Sequence, residues 1–139
     1  MRRLYFAYGM NMDLAAMARR CPSARRVAAA RLPDHRFALN RRGVSTVLQA
    51  PADCVHGILW TLTADCEAAL DRIEGIAQGH YLRAERRVLS HDGEFGALVY
   101  VATDETAGPP RQPYFDIVRA AARQHGFPPD YLSRLDALR

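Results

Sequence analysis

The stretch Leu4-Tyr5-Phe6-Ala7-Tyr8-Gly9-Met10-Asn11-Met12 decides how this chain begins to fold. Leu4 to Tyr8 is apolar and aromatic, so it reads as a short buried strand. Gly9 breaks it, because glycine turns sharply without a Cβ penalty. Asn11 is placed to cap a helix over Met12 to Arg20, with Leu14, Met17 and Ala18 on one face. A strand, a glycine turn and a helix start together aim unpaired backbone N–H groups and the positive end of a helix dipole at one spot. An anionic group, or an oxygen gaining negative charge, fits there. A first strand followed by an ordinary turn accounts for the same residues, since a lone strand-glycine-helix junction is a weak signal.

Outward from this stretch the elements alternate. Strand-like runs occupy Arg36 to Leu39, Ser45 to Gln49 (ended by Ala50-Pro51), Val55 to Leu62, Tyr81 to Leu89 and Gly96 to Ala102. Gly57, inside the third of these, suggests a bend or bulge. Thr63 caps a predicted helix over Ala64 to Glu74, whose buried face is Cys66, Ala69, Leu70 and Ile73, with Gly75 as its stop. Asp92-Gly93 marks a hairpin turn. Thr103 to Pro113 is a polar, proline-rich loop. Two further helices are expected, Tyr114 to His125 and a short one from Pro128-Pro129-Asp130. With no internal repeat or long linker, residues 1–139 read as one α+β domain.

Composition narrows the function classes. Cys21, Cys54 and Cys66 are an odd set without C-x-x-C spacing, which argues against a disulfide framework and a zinc site and suits a cytoplasmic location. The five histidines are scattered singly, so no metal is expected. No apolar run reaches about 18 residues, so no membrane span is expected. Met-Arg-Arg before a strand-like segment does not read as a secretory signal. Net charge is +4, there is no lysine, and ten of the 19 arginines precede residue 43. That asymmetry raises a nucleic-acid face as a possibility. The pairs Arg19-Arg20, Arg25-Arg26 and Arg41-Arg42 lack interleaved aromatics for base stacking, which favours a solvated surface instead.

Two motifs carry a resemblance. Tyr5-Phe6-Ala7-Tyr8-Gly9-Met10-Asn11-Met12 resembles the Y-F-A-Y-G-S-N-L opening of the gamma-glutamylcyclotransferase (AIG2-like) family, and Arg20-Cys21-Pro22-Ser23-Ala24 fits the stretch after it. Leu70-Asp71-Arg72-Ile73-Glu74-Gly75, with Tyr81 beyond, resembles the family's L-D-x-x-E-G…Y segment. Met10 stands where the family carries serine. A loop working through backbone N–H groups tolerates that change; one needing a hydroxyl does not.

The resemblance implies a small mixed β-barrel of about six strands flanked by helices. It implies a cofactor-free enzyme acting on a small gamma-glutamyl substrate, with Glu74 as the proton acceptor. It also implies that Tyr8, Gly9, Met10 and Asn11 bind substrate, with Tyr81, Tyr100 and Tyr114 matching tyrosines of the family pattern. For Tyr100 a packed amphipathic side chain is an equal reading. Independently of the family, at about 100° per residue Glu74 lies at the edge of the apolar face of its helix. A helix C-terminus disfavours an anion there by only about 0.3–1 kcal/mol. Burial shifts a carboxyl by up to about 3–5 units, so desolvation is the stronger lever.

The implied chemistry is economical. The substrate's own α-amine attacks its γ-carbonyl and closes a five-membered ring, releasing 5-oxoproline and an amine. One carboxyl serves as base and then acid. Two other readings remain: a cyclotransferase taking gamma-glutamylamines or another bulkier amine, and a non-catalytic binding module of the same fold using its arginines on RNA.

Overall fold

The computed structural model describes residues 2–138. Five strands form a closed barrel: β1 (Arg3–Ala7), β2 (Arg25–Leu39), β3 (Ser45–Leu62), β4 (Tyr81–Ser90) and β5 (Gly93–Ala102), in the order β1-β3-β2-β4-β5. All pairings are antiparallel except β1 with β5, where Tyr5 faces Leu98 in parallel register and closes the barrel. Four helices flank it: α1 (Leu14–Arg20), α2 (Ala64–Ile73), α3 (Tyr114–Gln124) and α4 (Pro129–Asp136). None is long and apolar enough to cross a membrane.

Five strands replace the expected six because Ser45 to Gln49 and Val55 to Leu62 are one continuous strand. Local propensity reads a break at Ala50-Pro51. The structure instead absorbs the irregularity as a bulge between Pro33 and His35 of β2, with Asp34 and Ala52 both at positive φ (60° and 68°). The Asp34 carboxylate accepts a hydrogen bond from the Ala52 amide (3.1 Å), so a side chain satisfies a group the ladder leaves open. Proline is tolerated at such a bulge. Val27 to Ala30, outside the strand-like runs read from sequence, is likewise part of β2.

Gly57 is not at a bulge. It pairs with Ala30 in regular register, and a Cβ there would lie 2.4 Å from the Ala7 carbonyl oxygen and 2.7 Å from the Phe6 ring. The glycine is required by close approach of β1 to β3. Around it Phe6, Val55, Ile58, Leu59 and Val99 have no exposed surface, and Phe115 and Val118 of α3 pack on the same core.

The expected caps hold in part. The Thr63 hydroxyl accepts from the Cys66 amide, and Gly75 at φ 67° turns the chain out of α2. Cys66 and Leu70 are buried as expected, whereas Ile73 is 45% exposed, in the last turn where α2 reaches a cavity mouth. Asn11 is not a helix cap. Met10 to Met12 form a single 3₁₀ turn, which delays the helix, and the Asp13 carboxylate caps α1 by accepting from the Ala16 amide (2.9 Å). The dipole of α1 therefore does not begin at the glycine turn. What the turn offers is its own leading amides, those of Met10 and Asn11, which precede its first internal bond, Met12 N–H to Gly9 carbonyl (3.1 Å). The three cysteines are free, and the Cys54 sulfur lies 3.6 Å from His56 Nε2.

Candidate active site

β1 runs antiparallel to β3, so the Tyr8-Gly9 turn lies away from Leu62, where β3 passes into α2, and the far end of α2 brings Glu74 to the same cavity as that turn. That cavity is about 210 Å³. Glu74 lines it together with every other residue singled out from sequence: Tyr8, Gly9, Met10, Asn11, Tyr81, Tyr100 and Tyr114. Residues separated by up to 106 positions thus meet at one place.

Glu74 is the C-cap residue of α2 and only partly exposed. Its carboxylate has no hydrogen-bond or salt-bridge partner among the described residues. Withdrawal from water pushes its pKa up to about 7, against the opposing pull of the Arg20 and Arg42 guanidiniums. A carboxyl tuned to neutrality, free of protein partners and facing a cavity, is suited to exchanging protons with a ligand.

The tyrosines divide by what their hydroxyls do. Tyr8 donates to the Tyr100 carbonyl (2.5 Å) and Tyr81 to the Ser45 carbonyl (2.6 Å). Tyr114 donates to the Ser45 hydroxyl (2.9 Å) and accepts from the Ser45 amide (3.1 Å). Tyr100 donates to Asp71 (2.7 Å). These rings wall the cavity while their hydroxyls tie the strands around it, and burial pushes each of them up, so all stay neutral at physiological pH. Ser45 takes part in three of these bonds, to two tyrosines, and it crowds Gly9: a Cβ on Gly9 would meet the Ser45 and Tyr114 hydroxyls at 3.1 Å.

Asp71, three residues before Glu74, does not line the cavity. It accepts from Tyr100 and from both contacts of Arg83 Nη1 (2.8 Å each), and Arg83 also pairs with Glu67. This network fastens α2 to β4 and β5 and so holds Glu74 in place. Asp71→Ala leaves the Tyr100 hydroxyl, in a residue 1% exposed, without its acceptor. Thermal or urea unfolding of that variant is expected to read a loss of about 1–3 kcal/mol.

Sequence reasoning missed Ser45, Tyr5, Arg20, Arg42 and Arg111, which all line the cavity. Ser45 has no local signal, being an ordinary residue at a strand start. Tyr5 reads as core from its alternation, and it is buried (4% exposed), yet its hydroxyl end reaches the cavity. His80, given no role from sequence, also lines the cavity, its ring packed over Gly75.

An AIG2-like family model matches residues 54–135. The gamma-glutamylcyclotransferase of Homo sapiens is 31% identical over 146 aligned positions, covering 97% of this chain and 78% of the human protein. The Bos taurus gamma-glutamylcyclotransferase is 29% identical over the same extent. A solved gamma-glutamyl cyclotransferase superposes with a TM-score of 0.91 at 30% identity, covering 100% of this chain and 89% of that one. The shared length, the shared barrel and the two motifs meeting at one cavity agree: this chain belongs to the AIG2-like, gamma-glutamylcyclotransferase family.

Proposed function

We propose that this protein converts a gamma-glutamyl amide into 5-oxoproline and a free amine or amino acid, with Glu74 as the single acid/base. One observation carries this reading: a carboxyl tuned to about 7 without a protein partner, across a cavity from the leading amides of the Met10–Met12 turn. The substrate's α-amine arrives as an ammonium. Glu74 takes its proton, and the freed nitrogen attacks the γ-carbonyl carbon, forming the ring C–N bond. As the tetrahedral intermediate collapses, Glu74 passes that proton to the departing nitrogen while its bond to carbon breaks, and then takes the second proton that the ring nitrogen carries after attack. This proton goes on to the released amine, which leaves as an ammonium and returns Glu74 to a carboxylate. A folded substrate supplies the nucleophile in place, and such intramolecular attack reaches effective molarities of order 10⁵ M or more.

The turn amides and the residues Tyr8, Gly9, Met10 and Asn11 hold the glutamyl part in this reading, and Tyr81, Tyr100 and Tyr114 shape the wall around it. Met10 is compatible with this role because the turn donates through its backbone. Arg20, Arg42 and Arg111 surround the cavity with positive charge. That charge favours a departing group bearing a carboxylate, an amino acid, over a bare or cationic amine.

The test is incubation with a panel of gamma-glutamyl amino acids and gamma-glutamyl amines while 5-oxoproline is measured. Release from the amino-acid series at the higher kcat/KM is the expected result. Higher kcat/KM on the amines reverses the assignment of the arginines, and no release from any member of either series refutes the reaction.

A further inference from the structure

Five tyrosines line the cavity, and four of them spend their hydroxyl protons on protein acceptors: Tyr8 on the Tyr100 carbonyl, Tyr81 on the Ser45 carbonyl, Tyr100 on Asp71 and Tyr114 on the Ser45 hydroxyl. Tyr5 is the exception. Its oxygen accepts a hydrogen bond from Asn11 Nδ2 (3.0 Å), and its own proton has no acceptor among the described residues.

The direction of that bond is forced. Arg20 Nη1 lies 2.9 Å from Asn11 Oδ1, and a guanidinium can only donate. The carboxamide oxygen of Asn11 must therefore face Arg20, which leaves its NH₂ to face Tyr5. Tyr5 is then an acceptor toward Asn11, and its proton is turned away, toward the cavity it lines. The chain Arg20, Asn11, Tyr5 is polarised in one sense by a full positive charge at its far end, and such polarisation strengthens the last donor. Asn11 is 3% and Tyr5 4% exposed, so the bond between them is shielded from water. Burial and the nearby Glu74 charge both keep the phenol protonated. No hydrogen bond joins Tyr5 to Glu74, so the proton is left for something that enters the cavity.

We infer that Tyr5 is a further catalytic residue, whose hydroxyl donates the hydrogen bond that receives the negative charge developing on the γ-carbonyl oxygen, its proton aimed there by Arg20 acting through Asn11. The inference rests on the cyclisation proposed above and divides its labour: Glu74 moves protons between nitrogens, and Tyr5 stabilises the oxygen. The leading turn amides of Met10 and Asn11 are thereby left for the substrate's α-carboxylate.

Two variants test it. Tyr5→Phe removes the donor and keeps the ring in the core. Its kcat is expected to fall by about 10²–10³-fold, the usual cost of losing one oxyanion donor, with KM little changed and the acid limb of the pH profile still centred near 7. Asn11→Asp keeps Tyr5 but reverses its bond, because a carboxylate only accepts. The Tyr5 proton is then drawn out of the cavity, and kcat is expected to fall again. In the double variant the second change is expected to cost kcat nothing beyond Tyr5→Phe, a non-additivity that a merely structural role for Asn11 does not produce.

Wild-type release of 5-oxoproline with kcat undiminished in Tyr5→Phe overturns the assignment and leaves the reaction standing. So does an acid limb displaced upward in Tyr5→Phe with an unchanged plateau, since that makes Tyr5 a partner of Glu74. Additive losses in the double variant overturn the relay through Asn11. Absence of 5-oxoproline from the wild type overturns the reaction and the assignment together.

Discussion

Glu74→Gln is expected to retain the barrel and to release 5-oxoproline about 10²–10⁴-fold more slowly than the wild type, the range for loss of a positioned general acid/base. Glutamine matches the shape and polarity of the side chain but takes no proton from an ammonium. A second signature separates a base from a binding group. The Glu74 carboxyl titrates near 7, so wild-type kcat/KM is expected to rise through about pH 7 as the carboxylate forms, and the residual rate of Glu74→Gln is expected to lack that limb.

Stability moves the other way. The folded-state pKa of Glu74 lies above its ordinary value of 4.5, so between these values the native state holds a proton that the unfolded chain has lost. The wild type is therefore expected to lose stability through this group as pH rises from 4.5 to 7. Below that window the group contributes nothing; above it the full penalty of a charged, desolvated carboxylate remains. Urea unfolding at pH 8 is expected to find Glu74→Gln more stable than the wild type by about 1–3 kcal/mol, and the gap is expected to close near pH 4.5. Equal stability at pH 8 together with full activity would place Glu74 outside the chemistry.

Gly57→Ala is expected to be the most damaging small change to the barrel. The added Cβ would lie 2.4 Å from a backbone oxygen, that of Ala7, and 2.8 Å or less from two atoms of the Phe6 ring. Neither can move away cheaply: Ala7 is hydrogen-bonded in the β1–β3 ladder, and Phe6 is fully buried. Overpacking of this kind costs about 1–3 kcal/mol and more where backbone must shift, so a loss of about 3 kcal/mol or a Tm lower by about 10 °C is expected. Ala7 leads into Tyr8 and Gly9, so the displacement also reaches the turn that borders the cavity. Gly96→Ala is the matched control. Its Cβ would meet only the tip of the exposed Glu85 side chain, at 2.9 Å, which swings aside. A stability change within about 0.5 kcal/mol is expected there. Equal effects at the two glycines would refute the close-approach explanation for Gly57.

Much of the fold is legible in local pattern. The strand over Leu4 to Tyr8, the helix capped by Thr63 and stopped by Gly75, and the hairpin turned at Asp92-Gly93 each rest on a few adjacent residues whose backbone preferences agree. The motif around Glu74 is legible for the same reason, since a helix end brings its own spacing with it. Where local and global preferences conflict, local reading fails. Ala50-Pro51 looks like a strand end, yet the partner strand carries β3 past it with Asp34 satisfying the bulge. Asn11 looks like a helix cap, yet its carboxamide is drawn to Tyr5 and Arg20.

The sequence by itself determined most of the elements, their order and the identity of one acid at the edge of an apolar face, because periodicity, caps and turns are properties of neighbouring residues. Only the tertiary structure decided that this acid loses its water, that Ser45 knots two distant tyrosines, and that one tyrosine out of five keeps a proton to give. Desolvation and hydrogen-bond direction are set by groups far apart along the chain, and no local pattern encodes which of them will face each other once the barrel closes.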